Sequence, residues 1–293
     1  METLPVPISR TPTEYEQKAL QEIYDWKNPK AGWLGKAVDR VNRRLHGVTD
    51  LVRKVPGVDW TIDNVVSGLL RLTNEIMQDT VWREAIYTEY RTAGHTVRTP
   101  DDIHALDLEA VDAVLRGLDN KYRALTAAHG AAAGVAGVAG IIPDVVGLVS
   151  LNLRAAGEYA TYCGYDITQP NERLYALQIL HVVSLPPEAP VEDPAQAKSL
   201  VPVTSVSHAV ARQQTVQTMS EVAVSGTIRG ITRALGTRLT KIKLAQLLPM
   251  TSAFIAGGFN AYYTTRVCDA AFYLYRERRL IEKYGPEILD GPT

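Results

Sequence analysis

Two long stretches of this chain are almost free of charge, and any fold must either bury them or hand them to an apolar surface. Ala124 to Leu153 contains a single carboxylate, Asp144, and Leu244 to Thr265 contains no charged residue at all. Both are rich in Gly and Ala, which let helix backbones approach closely. Each is long enough to supply the roughly 20 apolar residues that a bilayer core demands of one helix. Ile141-Ile142-Pro143-Asp144 nevertheless puts a helix breaker and a carboxylate in the middle of the first, and Pro249 interrupts the second near its start. Both features cost more in lipid than in a protein core that can pair them. The reading is therefore two helical hairpin segments buried in protein, with membrane contact as the competing state. Gly130, Gly134, Gly137, Gly257 and Gly258 are the expected points of close helix packing.

The rest of the chain reads as helix. Tyr15, Ala19, Ile23 and Trp26 recur at helical spacing between Thr13 and Trp26, and Asn28-Pro29 ends that run. Further helices are expected over Trp33–Leu45, over Ile62–Val81, around Tyr87 and Tyr90 up to the Gly94-His95 break, and over Leu106–Leu125. Pro100-Asp101-Asp102 reads as a turn or N-cap. Val203 to Leu248 reads as one or two helices, with Gly226, Gly230 and Gly236 as interruptions. No run of alternating Val, Ile or Thr suggests a strand, so the fold class is all-α, a multi-helix bundle with the two uncharged segments at its centre. Residues 1–12 are expected to be a disordered segment and 13–285 one domain. A Pro-rich connection lies at 185–203, and 286–293 form a tail. An uncharged stretch precedes Asn152, Arg154, Glu158, Tyr159 and Tyr162, and another precedes Asn260, Arg266, Asp269, Tyr273 and Tyr275, a weak echo of duplication.

Charge limits the partners. The formal charge of -1, from 31 Lys+Arg against 32 Asp+Glu, carries no basic excess for nucleic acid. Locally the balance differs. Between Glu221 and Asp269 there is no carboxylate, while Arg229, Arg233, Arg238, Lys241 and Lys243 lead into the second uncharged stretch. A cationic segment followed by an apolar one suits the anionic inner face of a membrane, so these five are the candidate membrane or partner contacts. The basic run from Lys36 to Lys54 reads as a solvated face. Met1 to Glu16 contains three prolines and no apolar core of a secretory signal, which points to the cytoplasm, with peripheral attachment to the membrane's inner face. Cys163 and Cys268 read as buried hydrophobes.

Catalytic chemistry is thinly represented. The spacing in Gly134-Val-Ala-Gly137-Val-Ala-Gly140 is not that of a dinucleotide or phosphate loop, and no nucleophile elbow, zinc-protease or Walker motif occurs. His95, Asp101, Asp102 and His104 fall within ten residues and could serve acid–base or metal chemistry if a turn gathered them. Asp144 is the other candidate, a carboxylate among Ile141, Ile142, Val145 and Val146. It reads as the cap of the helix that carries Arg154, or as that arginine's ion partner. No cofactor or resident metal is expected, and the oligomeric state is left open.

Several segments resemble the EcsC family of bacterial proteins: Glu84-Ala-Ile-Tyr-Thr-Glu-Tyr90, Ala93-Gly94-His95, Leu106-Asp107-Leu108-Glu109, Asn152-Leu153-Arg154, Glu158-Tyr159-Ala160-Thr161-Tyr162, Arg238-Leu-Thr-Lys241-Ile-Lys243, Gly257-Gly258-Phe259-Asn260 and Tyr275-Arg276-Glu277-Arg278. The likeness runs from about Thr13 to Gly285. It implies a bacterial cytoplasmic or membrane-associated protein, with an ABC transporter among the conceivable partners, and it transfers no catalytic residue. The expected function is a non-enzymatic helical protein at the membrane surface or on a membrane-protein partner, accessory to transport or secretion. The alternatives are a metal-dependent hydrolase centred on His95, Asp101, Asp102 and His104, and a soluble helical scaffold without lipid contact.

Overall fold

Two helices of this chain start with a capping box. In the computed structural model, residues 11–28, 57–76, 81–133, 141–184, 221–246 and 259–289 are described. Helix α1 (Glu14–Lys27) opens with a capping box, in which the Thr13 hydroxyl accepts from the Glu16 amide and Glu16 accepts in return from the Thr13 amide. After α2 (Val58–Ile76) and α3 (Val81–Thr92), the short α4 (Pro100–His104) repeats the device. Its cap is Thr99 rather than the Pro-Asp-Asp segment itself, Pro100 is the first helical residue, and Asp102 supplies the return acceptor.

Helices α5 (Leu108–Leu115) and α6 (Leu118–Ala133) correct the expectation of one continuous helix over Leu106–Leu125. Gly117 between them has φ +91°, which side-chain-bearing residues rarely adopt, so the period restarts there. Then come α7 (Ile141–Tyr162), α8 (Pro170–Ser184), α9 (Glu221–Gln246), α10 (Phe259–Tyr284) and a 3-10 turn at Pro286–Leu289. Helix α9 runs unbroken through Gly226, Gly230 and Gly236, so those glycines are not interruptions. The described residues contain no strand, and the bundle is all-α. The expected helix at Trp33–Leu45 and the Pro-rich connection at 185–203 lie outside the described residues.

Helix α7 is the axis of the bundle, packed against α2, α3, α5, α6, α8, α9 and α10. From Asn152 to Tyr162 every residue except Arg154 is buried, as a helix surrounded on all sides requires. Helix α10 lies parallel beside it: Asn260 meets Asp144 at their N-terminal ends, and Arg279 meets the Cys163 carbonyl at the other. Helix α1 closes the assembly through a smaller apolar cluster of Ala19, Ile23, Leu108 and Leu280, with Trp26 stacked on Tyr273 at 5.1 Å between centroids.

Among the described residues, close packing is seen at Gly236 and Gly68. Gly130 lies in α6, while Gly134, Gly137, Gly257 and Gly258 lie outside the described residues. A Cβ on Gly236 would sit 3.0 Å from Leu69 and 3.1 Å from Val66, and one on Gly68 would sit 2.9 Å from Val146. A Cβ on Gly230 would meet nothing within 4 Å. Chemical denaturation should therefore separate two substitutions on one helix. Gly236→Leu should cost about 1–3 kcal/mol through overpacking, and Gly230→Ala should gain up to about 1 kcal/mol through helix propensity. Equal midpoints for Gly236→Leu and the parent would remove the close contact between α9 and α2.

Candidate functional site

Four consecutive charged residues, Arg276, Glu277, Arg278 and Arg279, are all buried near the end of α10. Successive helical residues point about 100° apart, so these four face nearly all directions, and each needs a partner on a different element. Arg276 reaches Asp112 of α5 at 3.0 Å and Glu22 of α1 at 2.9 Å. Glu277 takes Lys27 of α1. Arg278 forks onto both oxygens of Glu172 at 2.6 and 2.7 Å, lies 3.8 Å above the Tyr165 ring, and also meets Glu282. Arg279 donates to the carbonyls of Cys163 and Leu106, both at 2.9 Å, and of Ile103 at 3.3 Å.

Beside this knot, Glu16, His104, Leu106, Arg279, Glu282 and Lys283 line a cleft of about 330 Å³. Its polar groups are already engaged with one another. Glu16 accepts from Lys283 and Tyr284, both at 2.7 Å, and Glu282 accepts from Tyr165 at 2.9 Å. His104 packs edge-on against Tyr165, and Gly164, at φ +88°, is tight against it: a Cβ there would sit 2.8 Å from the imidazole. Burial, and then the Arg279 charge, holds His104 below the usual imidazole pKa.

The structure does not gather the four residues expected to form a reactive knot. Asp102 is spent on the α4 capping box, Asp101 is exposed, and His95 sits edge-on to Tyr90 along a shallow groove with Thr88, Glu89 and Val114. Among the described residues, no three His, Cys, Asp or Glu side chains converge as metal ligands. Segment 99–104 forms a helical turn whose side chains point in different directions, Ile103 into the core and His104 onto Tyr165, which proximity in sequence could not reveal. Burial pushes both thiols up to about 12, so Cys163 and Cys268 are inert core residues.

Asp144 has a different partner from the one expected. It stands inside the first turn of α7, and Lys243 of α9 meets it at 2.6 Å. Asn260 of α10 completes a ring, accepting from Lys243 at 2.5 Å and donating to Asp144 at 3.0 Å. Arg154 lies ten residues farther along α7, about 15 Å away at the helical rise, and pairs with Glu158. The basic segment is divided as well. Arg229 and Arg233 are exposed, Arg238 and Lys241 are half-buried, and Lys243 is buried in the Asp144 ring.

The EcsC family model matches residues 17–280, a span that takes in both uncharged stretches, the Asp144 ring and the arginine run as far as Leu280. The chain belongs to the EcsC family. The Uncharacterized protein YdbA of Bacillus subtilis (strain 168) is 21% identical over 285 residues, covering 93% of this chain and 96% of that one. No solved structure matches the chain.

For this EcsC protein, the arginine run was the polar signal that sequence reasoning passed over. Three arginines and a glutamate in succession look like a solvated face, and only the partners on α1, α5 and α8 show otherwise. The Asp144 ring is directly testable. Asp144→Asn and Lys243→Met should each cost about 3–5 kcal/mol by stranding a buried charge, and the double variant should recover part of that loss. Additive losses in denaturant would dissolve the pair.

Acid should release the α1 contact. Burial alone would raise the Glu16 carboxyl, but donation from Lys283, Tyr284 and the Thr13 amide outweighs it and holds the group below its ordinary 4.5. A carboxyl depressed in the folded state contributes stability above its unfolded pKa and loses it as pH falls through the folded value. Between about pH 5 and pH 3, Tm should therefore fall more steeply for the parent than for Glu16→Gln. Parallel curves would show that the Glu16 charge does not stabilise the fold.

Proposed function

We propose that this EcsC protein is a non-enzymatic helical protein that attaches peripherally to the cytoplasmic face of a membrane, accessory to transport or secretion. The observation that carries the reading is the Asp144–Lys243–Asn260 ring, which brings the start of α7, the end of α9 and the start of α10 to one end of the bundle. Helix α6 packs along α7, and only residues 134–140 separate the two, so its end lies there too. The four described helix ends that flank residues 134–140 and 247–258 therefore lie at the same end of the bundle. No helix among the described residues is long and apolar enough to cross a membrane, which favours attachment at the surface over spanning. Arg229 and Arg233 add exposed positive charge on α9.

The hydrolase reading loses its support, because the side chains it needs are dispersed or engaged in capping. A membrane-protein partner, with an ABC transporter component as one example, would use the same end of the bundle in place of lipid. Co-sedimentation tests the proposal. The protein should be retained by phosphatidylglycerol vesicles at low salt, less so at high salt, and little by neutral vesicles. Arg229→Glu with Arg233→Glu should weaken retention, at about 1 kcal/mol for each cation removed. Equal retention on both lipids, or none on either, would overturn lipid attachment, and the second outcome would favour a protein partner.

A further inference from the structure

A guanidinium taken out of water needs acceptors, and this chain supplies them consistently. Among the described arginines that are not fully exposed, Arg83 has Asp166, Arg123 has Asp119 and Arg173 has the Thr168 carbonyl. Arg276, Arg278 and Arg279 have the partners given above. Arg238 of α9 is the exception. It is half-buried, its Nε is sealed from solvent without a hydrogen-bond acceptor as are those of Arg123, Arg173 and Arg276, but unlike theirs its guanidinium has no carboxylate or carbonyl partner among the described residues. Burial lowers its pKa to about 10, so the charge persists at neutral pH at a cost in desolvation.

A second orphan lies beside it. His181, in the last turn of α8, has its Nδ1 buried without a partner. Burial, followed by the Arg238 charge, holds that imidazole below its usual pKa. The neighbouring polar groups are occupied. The Tyr263 hydroxyl donates to the Leu180 carbonyl at 2.9 Å, and the Ser184 hydroxyl donates to the His181 carbonyl at 2.6 Å. Lys241, three residues after Arg238, shares its side of α9 and is also half-buried.

We infer that Arg238, His181 and Lys241 form a binding site for a phosphate group. The Arg238 guanidinium and Lys241 on α9, with His181 on the adjacent α8, offer nitrogen donors from two packed helices. That suits a tetrahedral oxyanion better than a planar carboxylate. The half-open side chain leaves a path from solvent, and an anion seated there can draw a proton onto His181 and gain its Nδ1–H as a donor. Inorganic phosphate and the phosphate of a lipid head-group present this same chemistry.

The test compares the full-length parent, Arg238→Met, Arg238→Lys and the exposed-site control Arg233→Gln. Inorganic phosphate, added against chloride of matched ionic strength, should raise Tm saturably by roughly 3 °C or more in the parent and in Arg233→Gln. The rise should vanish in Arg238→Met and shrink in Arg238→Lys, which keeps the charge but loses the fork. Without phosphate, Arg238→Met should melt at or above the parent's temperature, because an unpaired half-buried charge has gone. If Arg238→Met does not fold, Arg238→Lys carries the comparison.

Vesicles in phosphate-free buffer identify the source. Greater loss of phosphatidylglycerol retention in Arg238→Met than in Arg233→Met assigns a lipid head-group, and equal retention alongside the Tm effect assigns free phosphate. A parent that responds no more to phosphate than to chloride, or an Arg238→Met that responds like the parent, overturns the site. The Tm comparison does not depend on membrane attachment, so either idea can fail alone.

Discussion

The bundle depends on satisfying Arg276, Glu277, Arg278 and Arg279 at once. A helix that buries four successive charged side chains cannot rest them on one neighbour, because they point to different sides. Glu22 and Lys27 must come from α1, Asp112 from α5, Glu172 from α8, and the carbonyls of Ile103, Leu106 and Cys163 from the turns that end α4 and α7. The apolar core can tolerate small repacking shifts, but these partners leave little freedom in how α10 is rotated or how far it slides. Even within the knot the balance is uneven: burial keeps the Asp112 carboxyl above its usual pKa despite Arg276 and Tyr15 beside it.

Much of the helical architecture could be read from spacing. Ala19 and Ile23 recur at the interval of one helix face and are buried, and the absence of alternating apolar residues leaves the described chain without strands. Breaks were harder to read. Gly117 ends a helix because its backbone takes a left-handed conformation, whereas Gly226, Gly230 and Gly236 lie inside one, and the letter G is the same in each. A glycine in a helix marks a close approach only when a partner stands opposite, as Val66 and Leu69 do at Gly236, and that opposition belongs to the tertiary fold.

Polar sites were less legible for a related reason. His95, Asp101, Asp102 and His104 looked like a group because they are near one another in sequence, yet helix geometry disperses them. Asp144, Lys243 and Asn260 are separated by as many as 116 positions and form a closed ring. Arg154 was excluded as the partner of Asp144 by the helical rise alone, a test the sequence allowed. Lys243, Arg238 and Arg229 share one basic segment yet occupy three environments, because the exposed face of α9 narrows toward its C-terminus.

The Glu16–Tyr284 contact joins positions 268 apart, and every polar anchor of α1 to α10 has a comparable separation. During synthesis at about 5–20 residues per second, Glu16 emerges on the order of 15 to 50 s before Lys283 and Tyr284 exist to meet it. For most of that interval the apolar side of α1, with Ala19 and Ile23, has Leu108 of α5 but still lacks Leu280 and the rest of its cover on α10. Helix α1, made before the other described helices, is thus among the last to be secured, and a ribosome that stalls late in the message would release a chain in which α1, rather than the newest segment, is the exposed part.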